Sequence, residues 1–168
     1  RDYAVTGVQT CALPISIAQF RVHKARCNED PVSNLLNREF RSTAPRTTIV
    51  SDLTYVRVGT QWNYICLLTD LFNREIIGYS CGRYKDADLV LRAFSKVKDS
   101  LDEVQLFHTD RGSEFKNEKI NEVLKVFHIQ RSLSMKGCPY DNAVAEATYK
   151  LIKMEFVYPR RFATLDQL

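Results

Sequence analysis

The chain has 168 residues and carries 24 Lys and Arg against 20 Asp and Glu, a net charge of +4; 45% of its residues are apolar and 26% charged. That length fits one domain with a substantial core, and the balance is that of an ordinary soluble globular domain, not of a disordered or fibrous chain. No run of eighteen apolar residues occurs, so no membrane span is expected, while the mild basic excess permits a polyanionic partner without requiring one.

The opening stretch "VTGVQTCALPIS", residues 5–16, lacks the basic start and sustained apolar core of a signal peptide. It resembles the conceptual translation of a sequencing-library adapter, so residues 1–16 read as a non-native, disordered tail. Residues 17–48 are polar and broken by "NEDP" and "STAPRTT"; they read as a linker with a short helix near Val32 to Phe40. From Ile49 the texture changes. "IVSDLTYVRVG" is rich in β-branched and aromatic residues and stops at Gly59-Thr60, and "WNYICLLTDLF" and "REIIGYSCG" follow at once. Three tightly joined runs of this kind predict an antiparallel meander.

The period then becomes helical. Leu89, Val90, Ala93, Phe94 and Val97 recur at helical spacing over Asp86 to Asp99, with Asp86 as N-cap. "VQLFHTD" (104–110) is a nearly continuous apolar run of the kind that forms buried parallel strands. Ile120, Val123, Leu124 and Phe127 mark a second helix over Asn117 to Phe127, "IQRSLS" a short strand, and Asn142 to Glu155 a last helix after the loop "MKGCPYDN". The order βββαβαβα predicts an α/β fold: a mixed five-stranded sheet, three antiparallel strands then parallel ones, with helices on its faces. The core is expected over residues 49–158, and 159–168 as the start of a further C-terminal segment.

The five cysteines, Cys11, Cys27, Cys66, Cys81 and Cys138, are odd in number and show no zinc-ligand spacing. Cys66 and Cys81 read as buried free thiols, and a reducing, cytoplasmic setting is the default.

Three carboxylates stand out, each with an ordinary alternative. Asp52 interrupts an apolar strand, where aspartate is disfavoured and burial is costly unless the charge is paired or metal-bound; an edge or solvent-facing position is the plain reading. Asp110 ends the fourth strand, where α/β sheets place their sites, or it forms a turn before Arg111-Gly112. Glu146 shares a helix face with Lys150 and Lys153, which is also what a salt-bridged surface stripe looks like. Taken together, a strand middle, a strand end and a crossing helix can converge on one point, with the carboxylates roughly 4–8 Å apart. Three hard oxygen donors suit two divalent cations, Mg²⁺ or Mn²⁺, and lysines beside Glu146 would face phosphates.

From about Asn34 onward the chain resembles the catalytic core of the insertion-sequence DDE transposases, relatives of retroviral integrases with an RNase H-like fold. The text that carries the resemblance is "SDLTYV", "LLTDLFNREIIGY", "LFHTDRGSEF" and "KGCPYDNAVAEATYKLIKME", with 146 − 110 − 1 = 35 residues between Asp110 and Glu146. The resemblance implies that Asp52, Asp110 and Glu146 bind the two metal ions and catalyse DNA cleavage and strand transfer. It also implies double-stranded DNA as partner, both element ends and target, and a homo-oligomer in the active complex. Lys153 matches a basic position that contacts the element end, and Asn142 a residue near the active site; Lys150, Arg160 and Arg161 are further candidate DNA contacts. His108 and Gly112 are read as supporting, Gly112 by letting the chain turn sharply beneath the site.

The chain departs from the family text in having Ile49 where Trp is usual. It also lacks the expected N-terminal helix-turn-helix and the usual further C-terminal segment, and so reads as a fragment. An RNase H-like nuclease without strand joining, and an inactive DNA-binding remnant, are the alternative functions. Asp70 reads as a turn residue, Glu114 as a polar loop residue near the site, Trp62 and Tyr64 as core or rim, and His23 and His128 as without companions.

Overall fold

The computed structural model describes residues 32–98 and 100–168. The expected tail at 1–16 and the linker's first part, with Cys11, Cys27 and His23, lie outside the described residues. Five strands form one sheet in the order β3-β2-β1-β4-β5: β1 Thr48–Val58, β2 Gln61–Asp70, β3 Ile76–Gly82, β4 Leu106–Thr109 and β5 Gln130–Leu133. The first three pair antiparallel, and β4 runs parallel to both β1 and β5. Hairpins suffice between β1, β2 and β3, whereas each parallel step needs a helical crossover. These are α1 Ala87–Phe94 and α2 Glu118–Val126.

Strand alternation divides the core. Ile49, Leu68 and Phe107 point to one face, where Leu89, Val90, Phe94, Ile120 and Leu124 of α1 and α2 cover them. Val50, Val56 and Leu67 point to the other face, packing with Ala145 and Tyr149 of α3 Ala143–Ile152. Both helix starts are capped by side chains, Asp86 accepting from the Leu89 N–H and Asn117 from the Ile120 N–H, which satisfies one otherwise orphaned donor at each.

Three expectations need correction. Residues 32–40 are turns and extended chain, not a helix: Asn37 and Arg38 both have positive φ, which breaks any right-handed run. The segment is held by long-range bonds instead, from the Leu36 N–H to Ser132 Oγ (3.1 Å) and from Arg38 Nε to Asp141 Oδ1 (2.6 Å). The helix expected to reach Asp99 ends at Phe94, because Lys96 and Val97 tighten into bonds three residues back, to Ala93 and Phe94. The last helix ends at Ile152 and widens into a π turn over Lys153–Val157, closed by the Tyr158 N–H on the Lys153 carbonyl at 2.8 Å. Past it, Phe162 is buried, stacks on Phe156 at 5.5 Å, and its carbonyl accepts from the Gly59 N–H at 2.8 Å.

Candidate functional site

The strand register brings the first two acids together. In the β1–β4 pair the last matched rung is Val50 with His108; two residues further on, the same face carries Asp52 on one strand and Asp110 at the end of the other. Burial, and then the Asp110 charge, push the Asp52 carboxyl up to about 7, against the opposing pull of the Leu53 N–H and Lys85. Like charges held in one poorly hydrated place have this effect. Asp52 Oδ1 accepts from the Leu53 N–H at 2.7 Å and Asp110 Oδ1 from the Gly112 N–H at 2.9 Å. Each carboxylate is therefore braced by its own chain.

Two further charges belong to this place. Glu114 is 3% exposed and forms an ion pair with Lys85 at 2.9 Å. Burial raises its carboxyl, and Asp110 adds to that rise while Lys85 opposes it. The Lys85 ammonium, pulled down by burial, is raised on balance by Glu114, Asp110 and Asp52. The loop residue Glu114 is thus a buried neighbour of the two aspartates. Lys85, just before the α1 cap, escaped sequence reading altogether. Gly112 sits in a tight turn, its carbonyl accepting from the Phe115 and Lys116 N–H groups at 3.1 Å, and a Cβ there would lie 2.3 Å from the Glu114 carboxylate, which would have to shift.

Glu146 lies in the first turn of α3 and is exposed. It lines one open cleft of about 490 Å³ together with Asp52, Tyr149, Lys150, Lys153 and Tyr158. Among the described residues, no group of three or more His, Cys, Asp and Glu side chains is close enough to hold a metal ion. Asp52 thus shares the cleft with Glu146 and feels the charge of Asp110.

Of the basic candidates, Lys150 and Lys153 line the cleft. The Lys153 ammonium sits 4.7 Å from the Tyr55 ring centre; burial lowers its affinity for the proton and the Asp52 charge opposes this. Arg160 and Arg161 are exposed but not among the cleft-lining residues. The Arg160 guanidinium lies 4.7 Å from the Phe156 ring centre and bonds the Phe156 carbonyl at 3.0 Å. Asn142 is buried, with its Oδ1 unpartnered.

His108 is fully buried, with Nδ1 2.8 Å from Ser132 Oγ and Nε2 3.0 Å from the Asp141 carbonyl. Because the Asp141 carbonyl can only accept, the network assigns the ring proton to Nε2 and leaves Nδ1 to accept from the Ser132 hydroxyl. Burial lowers the imidazole's proton affinity, so a neutral ring ties β4 and β5 to the turn before α3. Asp141 is held below the usual carboxylate range by Arg38 and the Met135 N–H. Asp70 accepts from the Arg46 and Phe72 N–H groups at 3.0 and 2.9 Å, the turn role expected of it. Cys66 is a buried free thiol, whereas Cys81 is only half-buried.

The integrase core domain family matches residues 42–139. The chain is 33% identical over 133 residues to the transposase for insertion sequence element IS904 of Lactococcus lactis subsp. lactis (strain IL1403), covering 78% of this chain and 53% of that protein. It is 32% identical over 139 residues to transposase InsF for insertion sequence IS3A of Escherichia coli (strain K12), covering 81% and 48%. The chain thus spans about half the length of the curated relatives it matches. In fold it is similar to a chain of the simian T-cell lymphotropic virus intasome, solved by cryo-EM in complex with PP2A regulatory subunit B56 gamma (TM-score 0.62, 13% identity, 68% of this chain and 41% of that one). It is likewise similar to the HTLV-2 integrase catalytic core domain in complex with magnesium, dimeric form (TM-score 0.57, 20% identity, 68% and 72%). These likenesses show an RNase H-like, integrase-core fold.

Proposed function

The chain belongs to the integrase core domain family, and on that premise we propose that it is the catalytic core of a DNA transposase, cleaving and joining DNA strands at a divalent-metal site of Asp52, Asp110 and Glu146. The observation that carries this reading is that Asp52, whose carboxyl feels the Asp110 charge, lines one cleft with Glu146, Lys150 and Lys153. The donor chemistry fits the metal. Both aspartates are hard oxygen donors, and both ring nitrogens of the nearest imidazole, His108, are already engaged; such a set suits Mg²⁺ or Mn²⁺.

When bound, two such ions would activate the attacking oxygen and stabilise charge on the leaving one. The chain's own residues do the positioning. The Leu53 and Gly112 amides orient Asp52 and Asp110. Lys85 and Glu114 form a fixed charged pair next to them. Lys150 and Lys153 line the side of the cleft where a phosphate backbone would lie, each neutralising about one phosphate. The reaction is proposed as water attack at an element end, followed by attack of the freed 3′-OH on a second phosphodiester. Element-end and target double-stranded DNA, a homo-oligomeric active complex and a cytoplasmic location are part of the same proposal. Among the described residues, no helix is long and apolar enough to cross a membrane.

One observation favours a second reading, an inactive DNA-binding remnant: among the described residues no three His, Cys, Asp or Glu side chains group closely enough to hold a metal ion. A strand-joining assay with Mn²⁺ and a pre-nicked element end separates the readings. Joined product supports the transposase core. Nicking without joining points to a plain RNase H-like nuclease, and DNA binding with neither reaction to the remnant.

A further inference from the structure

Tyr149 lies on α3 three residues after Glu146 and four before Lys153, which opens the π turn that continues the helix, so the three follow one side of it. Its ring is 6% exposed and packs with Val56, Ile65, Leu67 and Phe162. Phenylalanine would fill that space equally well, and a buried hydroxyl without partners would be costly. The hydroxyl is instead fully used. It accepts from the Leu67 N–H at 2.8 Å and donates to the Asp52 carbonyl. Leu67 and Asp52 are direct partners across the β1–β2 ladder, so one side chain of α3 grips the very rung that carries the first acid. The Ile65 carbonyl, at 3.4 Å, is a weaker third contact.

We propose that Tyr149 is a positioning residue whose hydroxyl locks α3 to the Asp52 rung and thereby sets Glu146 and Lys153 opposite Asp52. Apolar packing between the helix and the sheet is non-directional and leaves α3 free to slide or roll by a fraction of a turn. Two hydrogen bonds to one rung remove that freedom, and nothing else in the helix sequence would supply it at this depth. The inference rests on reading Asp52 and Glu146 as one metal site.

The test compares the full chain with Tyr149→Phe and Asp52→Asn by Mn²⁺ titration calorimetry, with strand cleavage followed in parallel. Tyr149→Phe is expected to weaken Mn²⁺ binding about tenfold, as loss of a group that orients a metal ligand does. Its kcat should fall by a similar factor while KM for DNA stays unchanged, and the Leu67 amide should exchange faster. A lower melting temperature with unchanged Mn²⁺ affinity would overturn the proposal, because that is what a merely structural tyrosine gives. If Asp52→Asn takes up Mn²⁺ as the parent chain does, the metal-site reading fails and the lock fails with it. Should Tyr149→Phe not fold, the parent chain labelled with 3-fluorotyrosine decides. Its ¹⁹F resonance at position 149 should shift on Mg²⁺ addition, and an unmoved resonance would overturn the proposal.

Discussion

Removing the Asp52 charge should stabilise the metal-free protein at alkaline pH, although the substitution deletes a group proposed to be essential. The perturbation is Asp52→Asn, which keeps the shape and an Oδ1 able to accept from the Leu53 N–H. In the folded chain the Asp52 carboxyl titrates at about 7, against 3.8 ordinarily. A raised carboxylate binds its proton more tightly folded than unfolded, so between those values stability falls as pH rises. The full interval corresponds to about 4 kcal/mol at pH 8, a ceiling that water penetration reduces to about 2 kcal/mol. For a chain of this size that is a rise of about 6 °C in melting temperature. Thermal unfolding followed by circular dichroism in EDTA should show Asp52→Asn the more stable at pH 8, with the difference closing toward pH 4. Equal stability of the two at pH 8, or a less stable Asp52→Asn, would refute the claim that burial and Asp110 strain this carboxylate.

Two other outcomes follow from the same geometry. Gly112→Ala sets a methyl group 2.3 Å from the Glu114 carboxylate, and should cost about 1–3 kcal/mol, read by urea denaturation, as overpacking does. Ala at Lys150 and at Lys153, tested singly, should each weaken DNA binding across all sequences and reduce the slope of log affinity against log salt by about one, measured by fluorescence anisotropy.

The sequence made the sheet legible because its signals are local. Strand texture ends at Gly59, the helical period starts behind Asp86, and Asp110 closes an apolar run. That β4 lies beside β1, which brings the Asp110 charge to bear on Asp52, is legible from strand order. What the sequence hid depends on distant partners. Arg38 finds Asp141 across 103 positions, and that bond, not helical propensity, shapes residues 32–40. Lys85 and Glu114 look like a surface lysine and a loop acid until the fold sets them 2.9 Å apart. Tyr149 reads as one more apolar position on α3, because helical spacing predicts burial but not what a hydroxyl will meet. Glu146 is legible as a candidate through the helix face it shares with Lys150 and Lys153 and through its spacing from Asp110, and the fold leaves it exposed.

The central claim is that Glu146 completes the site formed by Asp52 and Asp110. Mn²⁺-dependent nicking of element-end DNA, compared between this chain and Glu146→Gln, tests it most directly. The account predicts nicking by the parent chain and a loss of at least about 100-fold in Glu146→Gln, as expected when a metal ligand rather than a bystander is removed. Equal nicking by both proteins, above the metal-free background, would contradict it.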